Sequence, residues 1–310
     1  MPRRRFTRPE IASFQWAVAR GERPSDVARE HGFSVSNFSR WCHKYGVPYV
    51  PYVPTAADLR GVRAWRAAPT LAEAWRSFHA FVTGGSWWPM GGELPPLDVD
   101  PAQDWLRLHA RPDARVVLVC EKAFVSDLAR EWRGPRRPSA AEIAKAAVAN
   151  TAWPPSRWAA RALEEHARAS RAHFAYVGDL DPQALHSFAT LRAGGTEGLL
   201  GQETAPAIPV RWIGLDSEWL DWVCATANTT EVPSWMTLPL GWTDREYWAL
   251  VKRLVPDARR LLGERASAML DSGTKLEIDA LFIGPLREAA LVELARRLAS
   301  SSRDLGALRL

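Results

Sequence analysis

Phe174-Ala-Tyr-Val-Gly-Asp-Leu-Asp-Pro182 is the stretch that decides the fold of this chain. Its first four residues are apolar and predict a short buried strand that ends at the glycine. Asp181 precedes a proline, the residue type favoured at the first helical position, so a helix capped by Asp181 should begin here. Asp179 lies two residues earlier, and side chains at this spacing project to the same side of an extended segment. The stretch therefore predicts a strand, a turn and a helix, with two convergent carboxylates at the turn.

A second apolar run ends in charged residues in the same way. Arg115-Val-Val-Leu-Val-Cys120 is followed by Glu121 and Lys122, and a helical pattern comes next. Two such strands predict an α/β fold with a mostly parallel sheet flanked by helices, in which ligands usually bind at the carboxyl ends of the strands. Glu121, Asp179 and Asp181 should then meet at one edge. Three carboxylates form a natural site for Mg²⁺ or Mn²⁺, which prefer hard oxygen ligands.

This order of elements resembles the Toprim domain, in which a glutamate follows the first strand and an Asp-x-Asp follows a later one. The closer resemblance is to the Toprim domain of topoisomerase VI A subunits, meiotic break-forming proteins and the Wadjet anti-plasmid nuclease subunit. Their aspartate pair has an Asp-x-Asp-Pro setting, as Gly178-Asp-Leu-Asp-Pro182 has here. Thr274-Lys-Leu-Glu-Ile-Asp-Ala-Leu281 is similar to a late Lys-x-Glu-x-x-Ala-Leu segment of that group. The resemblance covers roughly residues 113–298.

The resemblance implies a Mg²⁺- or Mn²⁺-dependent DNA endonuclease that hydrolyses phosphodiesters. It also implies a homodimer that cuts two strands. The further roles implied are defence against plasmids or phage and loading of the protein onto DNA by an SMC-like ATPase complex. The metal ligands would be Glu121, Asp179 and Asp181, and the remaining catalytic candidates would be Lys122, Lys275 and Glu277.

Simpler interpretations of the same residues stay open. Asp181 could be only a helix cap, Glu121 only a polar residue at a strand end, and Lys275 with Glu277 only a surface charge pair. Two acids after a further predicted strand could add a metal ligand or lie exposed in a turn: Asp216 and Glu218.

Positive charge is concentrated at the N-terminus. Residues 1–66 carry a net charge of +7, whereas the whole chain carries +5. Helical patterns on either side of a turn at Gly32 match the helix-turn-helix arrangement, and the segment from Pro24 to Tyr45 resembles transposase-type and repressor-type examples. A basic module of this kind is typical of proteins that bind double-stranded DNA. A helical protein-interaction module with a solvated basic face is the alternative.

The second helix of such a module enters the major groove by its N-terminal half. The residues that would face the groove are Ser34, Ser36, Asn37 and Arg40. His43 and Lys44 are placed for contacts with phosphates, and an N-terminal arm could be formed by Arg3, Arg4 and Arg5.

Four segments are predicted. They are a helix-turn-helix domain (1–47), a proline-rich spacer with a helical connector (48–112), a Toprim core with further strands over 145–150 and 208–213 (113–225), and a C-terminal extension (226–310). This extension should be helical after Pro239, with a break at Ser272-Gly-Thr274. The spacer has prolines at every third position from 48 to 54, which favours stiff, extended backbone. Tyr49 and Tyr52 lie in it, a poor place to hold a nucleophile, so we expect water rather than tyrosine to attack.

Two rival functions remain. One is a sequence-specific DNA-binding regulator with a non-catalytic Toprim-like dimerisation domain, and the other is a topoisomerase-like subunit that needs a separate ATPase. No run is apolar enough to span a membrane. The three cysteines, Cys42, Cys120 and Cys224, are far apart and lack zinc spacing, which indicates a reduced, cytoplasmic protein.

Overall fold

The computed structural model describes residues 56–84, 106–108, 116–120, 147–151, 165, 168, 173–201, 208–283 and 285–307. The chain divides into two compact units, Met1–Leu94 and Pro95–Leu310. Several predictions lie outside the described residues. These are the helix-turn-helix with its nine candidate DNA-binding residues, the proline-rich spacer with both tyrosines, Cys42, and the two charged residues after the first predicted strand, Glu121 and Lys122.

In the first unit, two helices pack against each other: α1 (Ala56–Ala67) and α2 (Leu71–Gly84). The second helix begins with a capping box, because the Thr70 hydroxyl accepts from the Glu73 N–H at 3.2 Å and the Glu73 carboxylate accepts from the Thr70 N–H at 3.3 Å. Trp65 and Phe78 are buried and meet edge to face, with ring centroids 5.9 Å apart. Aromatic burial of this kind holds the hairpin together.

The second unit contains a mostly parallel sheet, as predicted. Its described strands are β1 (Leu106–Leu108), β2 (Val116–Cys120), β3 (Ala147–Thr151), β4 (His173–Val177) and β5 (Val210–Trp212), in the order β1-β3-β2-β4-β5. Only the pairing of β1 with β3 is antiparallel among these strands. Cys120 lies opposite Val177, so β2 and β4 end side by side. Both strands are buried, which explains their continuous apolar sequences.

The predicted turn and helix follow β4. Asp181 is the N-cap of α3 (Pro182–Arg192), and its proline occupies the first turn. A short helix, α4 (Thr196–Leu199), comes before β5. At the carboxyl edge of the sheet Gly214 lies against Gly178, and a Cβ on Gly214 would come within 2.7 Å of the Gly178 nitrogen. The chain segments that leave β4 and β5 therefore approach too closely for any side chain at residue 214.

The rest of the unit is mainly helical: α5 (Ser217–Ala227), β6 (Thr237–Pro239), α6 (Trp242–Leu254), α7 (Ala258–Asp271), β7 (Thr274–Leu276), α8 (Asp279–Ile283) and α9 (Arg287–Ala307). The helical region is interrupted at residues 272–274, where a break was predicted, but the chain continues there into β7, a strand that was not predicted and that pairs antiparallel with β6. Gly273 adopts a left-handed conformation (φ 84°), which ends α7 and turns the chain into the strand.

Within the described residues, no helix combines the length and the apolar character needed to cross a membrane.

Candidate functional site

The candidate site is built by a backbone bridge between two distant segments. Leu180, just after β4, donates to the Leu276 carbonyl at 2.9 Å, and the Leu276 N–H donates back to the Leu180 carbonyl at 3.3 Å. Both leucine side chains are fully buried. β7 is thereby joined to the segment that carries the aspartate pair.

The bridge places four charged side chains on one face. Side chains alternate along extended backbone, so the residues on either side of each leucine project away from the leucine side chains. In an antiparallel bridge centred on these leucines, Asp179 lies opposite Glu277 and Asp181 lies opposite Lys275. The structure therefore brings together four of the six predicted catalytic residues.

Both aspartates are buried and fixed by backbone donors. Asp179 is 3% exposed, and its Oδ1 accepts from the Ile278 N–H at 2.7 Å. Asp181 Oδ1 accepts from the Ala184 N–H at 2.8 Å, so the interpretation as a helix cap is correct for this oxygen. Capping does not explain Asp179, whose hydrogen bond reaches a residue 99 positions away.

Lys275 supplies a positive charge to these acids. Its ammonium lies 3.8 Å from Glu277 Oε1 and 3.9 Å from Asp244 Oδ2, and its side chain is only 17% exposed. Burial alone lowers the pKa of the Lys275 ammonium. The carboxylates of Asp244, Asp181, Glu277 and Asp179 together raise that pKa well above its ordinary value. Glu277 is buried, so the alternative of a surface charge pair is wrong.

Asp244, in the first turn of α6, is a member of this cluster that the sequence did not indicate. It lies 31 positions before Lys275 and belongs to no motif, and an acid in the first turn of a helix is ordinary. Its place in the cluster depends on how α6 packs, which is a tertiary property.

The donor groups of the cluster are of the kind that a hard cation prefers. It contains four carboxyl groups and one ammonium, and carboxylate oxygens are the ligands that Mg²⁺ and Mn²⁺ prefer. In the part of the chain that the structure describes, no three His, Cys, Asp or Glu side chains are grouped so that they could hold a metal ion. The third predicted ligand, Glu121, follows directly after Cys120, the last described residue of β2.

The two further acids that the sequence singled out behave differently. Glu218 is exposed, but it lies in the first turn of α5, and its carboxylate is 3.5 Å from Arg297 Nη2. Asp216 caps α5 by accepting from the Trp219 N–H at 2.9 Å, and both its oxygens accept from Arg297 Nη1 at 3.0 Å. Burial raises the pKa of the Asp216 carboxyl, although the Arg297 charge and these hydrogen bonds act to lower it. Asp216 is therefore held in a structural ion pair.

No protein-family model matches the chain, and no curated protein matches its sequence significantly. The class of protein is therefore defined by its structure alone. The protein is an α/β protein with a largely buried cluster of carboxylates around Lys275, located at the carboxyl end of the interior strand β4.

Proposed function

We propose that this protein is a Mg²⁺- or Mn²⁺-dependent DNA endonuclease with a Toprim-type catalytic domain. The observation that carries the proposal is the convergence of Asp179, Asp181 and Glu277 around Lys275 beside the end of β4. A helix cap needs one acid, whereas this site buries several at the sheet edge where ligands of α/β proteins bind.

The metal would be held by Asp179 and Asp181 together with Glu121. Asp179 and Asp181 each use Oδ1 for a backbone hydrogen bond, which fixes the direction of the carboxylate. When bound, a divalent cation supplies polarisation of the scissile phosphate and activation of water. Preorganised carboxylates lower the cost of arranging ligands around such a cation.

Lys275 and Glu277 have positioning and electrostatic roles in this proposal. The Lys275 ammonium offsets repulsion between the acids, so that they can lie close together before a cation binds. The same charge, with that of Lys122, can offset negative charge that develops on a phosphate. Glu277 lies 3.8 Å from the ammonium and holds it in place.

DNA would be bound by the basic N-terminal segment, whose net charge of +7 over residues 1–66 suits a phosphate backbone. A homodimer would be needed to cut both strands. The sequence resemblance also supports a cytoplasmic role in defence against plasmids or phage, with an SMC-like ATPase complex as a partner.

The first prediction concerns cleavage of supercoiled plasmid with Mg²⁺ or Mn²⁺. Asp179→Asn and Glu121→Gln should each reduce the rate by about 100-fold or more, because each removes a carboxylate charge from the site. Asp221→Asn is the matched control, since Asp221 is exposed and pairs with Arg265 on the surface. Equal rates for the wild type, both site variants and the control would contradict the proposal.

A second readout distinguishes the nuclease from the DNA-binding regulator. One observation favours the regulator: Lys275 already compensates part of the acidic charge, as it would in a purely structural cluster. Mn²⁺ binding measured by electron paramagnetic resonance should be lost in Asp179→Asn and kept in Asp221→Asn. Sequence-selective DNA binding without Mn²⁺ binding or cleavage would instead support the regulator, and DNA ends linked covalently to protein would support a tyrosine nucleophile.

A further inference from the structure

A cavity of about 500 Å³ lies beside the edge strand β5, apart from the carboxylate cluster. Its walls come from α3, β5, α7 and α9 and from the start of α5, and none of the five residues of the cluster lines it. Five arginines and two acids contribute to its lining: Arg192, Arg211, Arg260, Arg296 and Arg297, with Asp216 and Glu218. This volume is within the usual range for small-molecule sites, about 300–1,000 Å³.

One carboxylate orients two of these arginines. Asp257 accepts from both terminal nitrogens of Arg192, at 3.1 and 3.0 Å, and from Arg260 Nη2 at 3.0 Å. The two arginines hold the pKa of Asp257 below its ordinary value. Because one negative charge serves two guanidinium groups, positive charge is left over at this side of the cavity.

Two further arginines, on α9, are paired with three acids, Glu293, Asp216 and Glu218, so this part of the cavity carries no excess of positive charge. Glu293 accepts from Arg296 Nε at 2.7 Å and Nη2 at 2.6 Å, and from Arg297 Nε at 2.9 Å. Arg297 is buried and bonded to Asp216 as well. Arg296 is 62% exposed and keeps its Nη1 amino group for another acceptor, as Arg260 keeps most of its donors.

Two aromatic side chains also belong to the lining. Phe188 and Trp212 line the cavity and pack edge to face, with ring centroids 5.4 Å apart. The indole Nε1 of Trp212 is buried and has no hydrogen-bond partner among the described residues. Both side chains are largely buried, and the Arg192 guanidinium lies 5.2 Å from the centre of the Phe188 ring. Aromatic side chains beside forked donors suit a ligand that has both a ring and phosphates.

We propose that this cavity is a binding site for a phosphate-bearing ligand of mononucleotide size. Arg260 on α7 and Arg296 on α9 bind the phosphates, and the ring lies toward Trp212 and Phe188. A nucleic-acid strand is the other source of phosphates, but its phosphates repeat along a line, whereas these arginines surround a cavity walled by several elements. The proposal does not depend on the nuclease activity.

The test is isothermal titration calorimetry of the full chain with ATP and with inorganic tripolyphosphate, in the absence of divalent metal. We expect ATP to bind, and tripolyphosphate to bind several-fold more weakly because it lacks the ring. The double variant Arg260→Gln/Arg296→Gln should lose about tenfold or more in ATP affinity, since charge-assisted bonds to phosphate are removed. Both side chains are largely exposed, so the fold should persist, as far-UV circular dichroism would verify.

The matched control is Arg259→Gln/Arg287→Gln, which removes the same charge from exposed positions of the second unit that do not line the cavity. Its ATP affinity should stay within about twofold of the wild type, because screening weakens charges at a distance. No ATP binding at millimolar concentration, or equal losses in both double variants, would overturn the proposal. A different result would also overturn the proposal: ATP does not bind, and only the Arg260/Arg296 variant loses affinity for duplex DNA. The cavity would then be part of a DNA-binding surface.

Discussion

Lys275 is a positive charge that lies among four carboxylates of the described residues. Its neighbours come from three places in the chain: Asp179 and Asp181 follow β4, Asp244 lies in α6, and Glu277 lies two residues after Lys275 itself. A buried charge is tolerated when opposite charges surround it, and removal of one partner leaves the others uncompensated. The cluster should therefore stabilise the fold only while the ammonium is present and charged.

The third prediction is that Lys275→Met destabilises the protein by about 3 kcal/mol at pH 7, because acids are left buried without their cation. The pKa of Lys275 is higher in the folded than in the unfolded chain. Its contribution is therefore complete below the ordinary lysine pKa, about 10.4, and is lost as the pH rises through the folded-state value. Urea unfolding should show that the difference in the free energy of unfolding between wild type and variant is smaller at pH 11 than at pH 7. A difference that grows with pH would contradict the proposed stabilising role of the Lys275 ammonium.

The sequence predicted some of these positions and not others, for a physical reason. The capping role of Asp181 is local, since donor and acceptor lie three residues apart, and the proline after it reinforces the signal. The contact of Asp244 with Lys275 follows from the packing of a helix against a strand, and no local pattern encodes it. The burial of Glu277 depends likewise on the bridge from Leu276 to Leu180.

At the scale of elements, α7 is two helical segments joined at a kink. Gly263 has φ 74° and ψ 170° within the helix. A Cβ there would lie 2.5 Å from the hydroxyl oxygen of Ser217, which belongs to α5. That hydroxyl accepts from the Ala266 N–H at 3.0 Å and thus caps the second segment from another helix. The kink is produced by a glycine and a capping hydroxyl together.

The fourth prediction is that Gly263→Ala destabilises the protein by about 3 kcal/mol, because it adds backbone strain and displaces Ser217. Gly201→Ala is the matched control. Gly201 also has a positive φ, 69°, but nothing lies within 4 Å of a Cβ placed there. Strain alone should cost about 1 kcal/mol at Gly201. Chemical denaturation followed by circular dichroism measures both variants, and equal losses would show that the contact with Ser217 is unimportant.

The elements that were predicted correctly are those with strong local patterns. β2 and β4 are continuous apolar runs bounded by charge or glycine, so their existence and their common edge could be inferred. β7 has only three residues, too few to show an alternating pattern, and it follows a glycine turn after a long helix. Its partners, β6 and the segment around Leu180, lie far away in sequence.

At the scale of the second unit, Arg297 connects the C-terminal helix α9 to the start of α5. It bonds to Asp216, 81 positions earlier, and to Glu293 one turn before it, and its guanidinium lies 4.8 Å from the centre of the Trp219 ring. The side chain is 6% exposed. Water cannot replace these contacts, so loss of this arginine leaves Asp216 without its positive partner and Glu293 with Arg296 alone.

The fifth prediction compares Arg297 with its neighbour Arg296, which bonds to the same Glu293 but is 62% exposed. Arg297→Met should cost about 3 kcal/mol, because a buried pair loses one partner. Arg296→Met should cost less than about 1 kcal/mol, as solvent screens an exposed pair. Urea unfolding measures both losses.

A double-mutant cycle then isolates the link between the two helices. Asp216→Asn keeps a capping side chain for α5 but removes the charge that faces Arg297. If the ion pair joins α9 to α5, the effects of Asp216→Asn and Arg297→Met should differ from additivity by about 1–3 kcal/mol. The same cycle with Arg296→Met should be additive within about 0.5 kcal/mol. Additivity in the Arg297 cycle would mean that the arginine stabilises α9 through Glu293 and Trp219 alone, and that Asp216 contributes only as a helix cap.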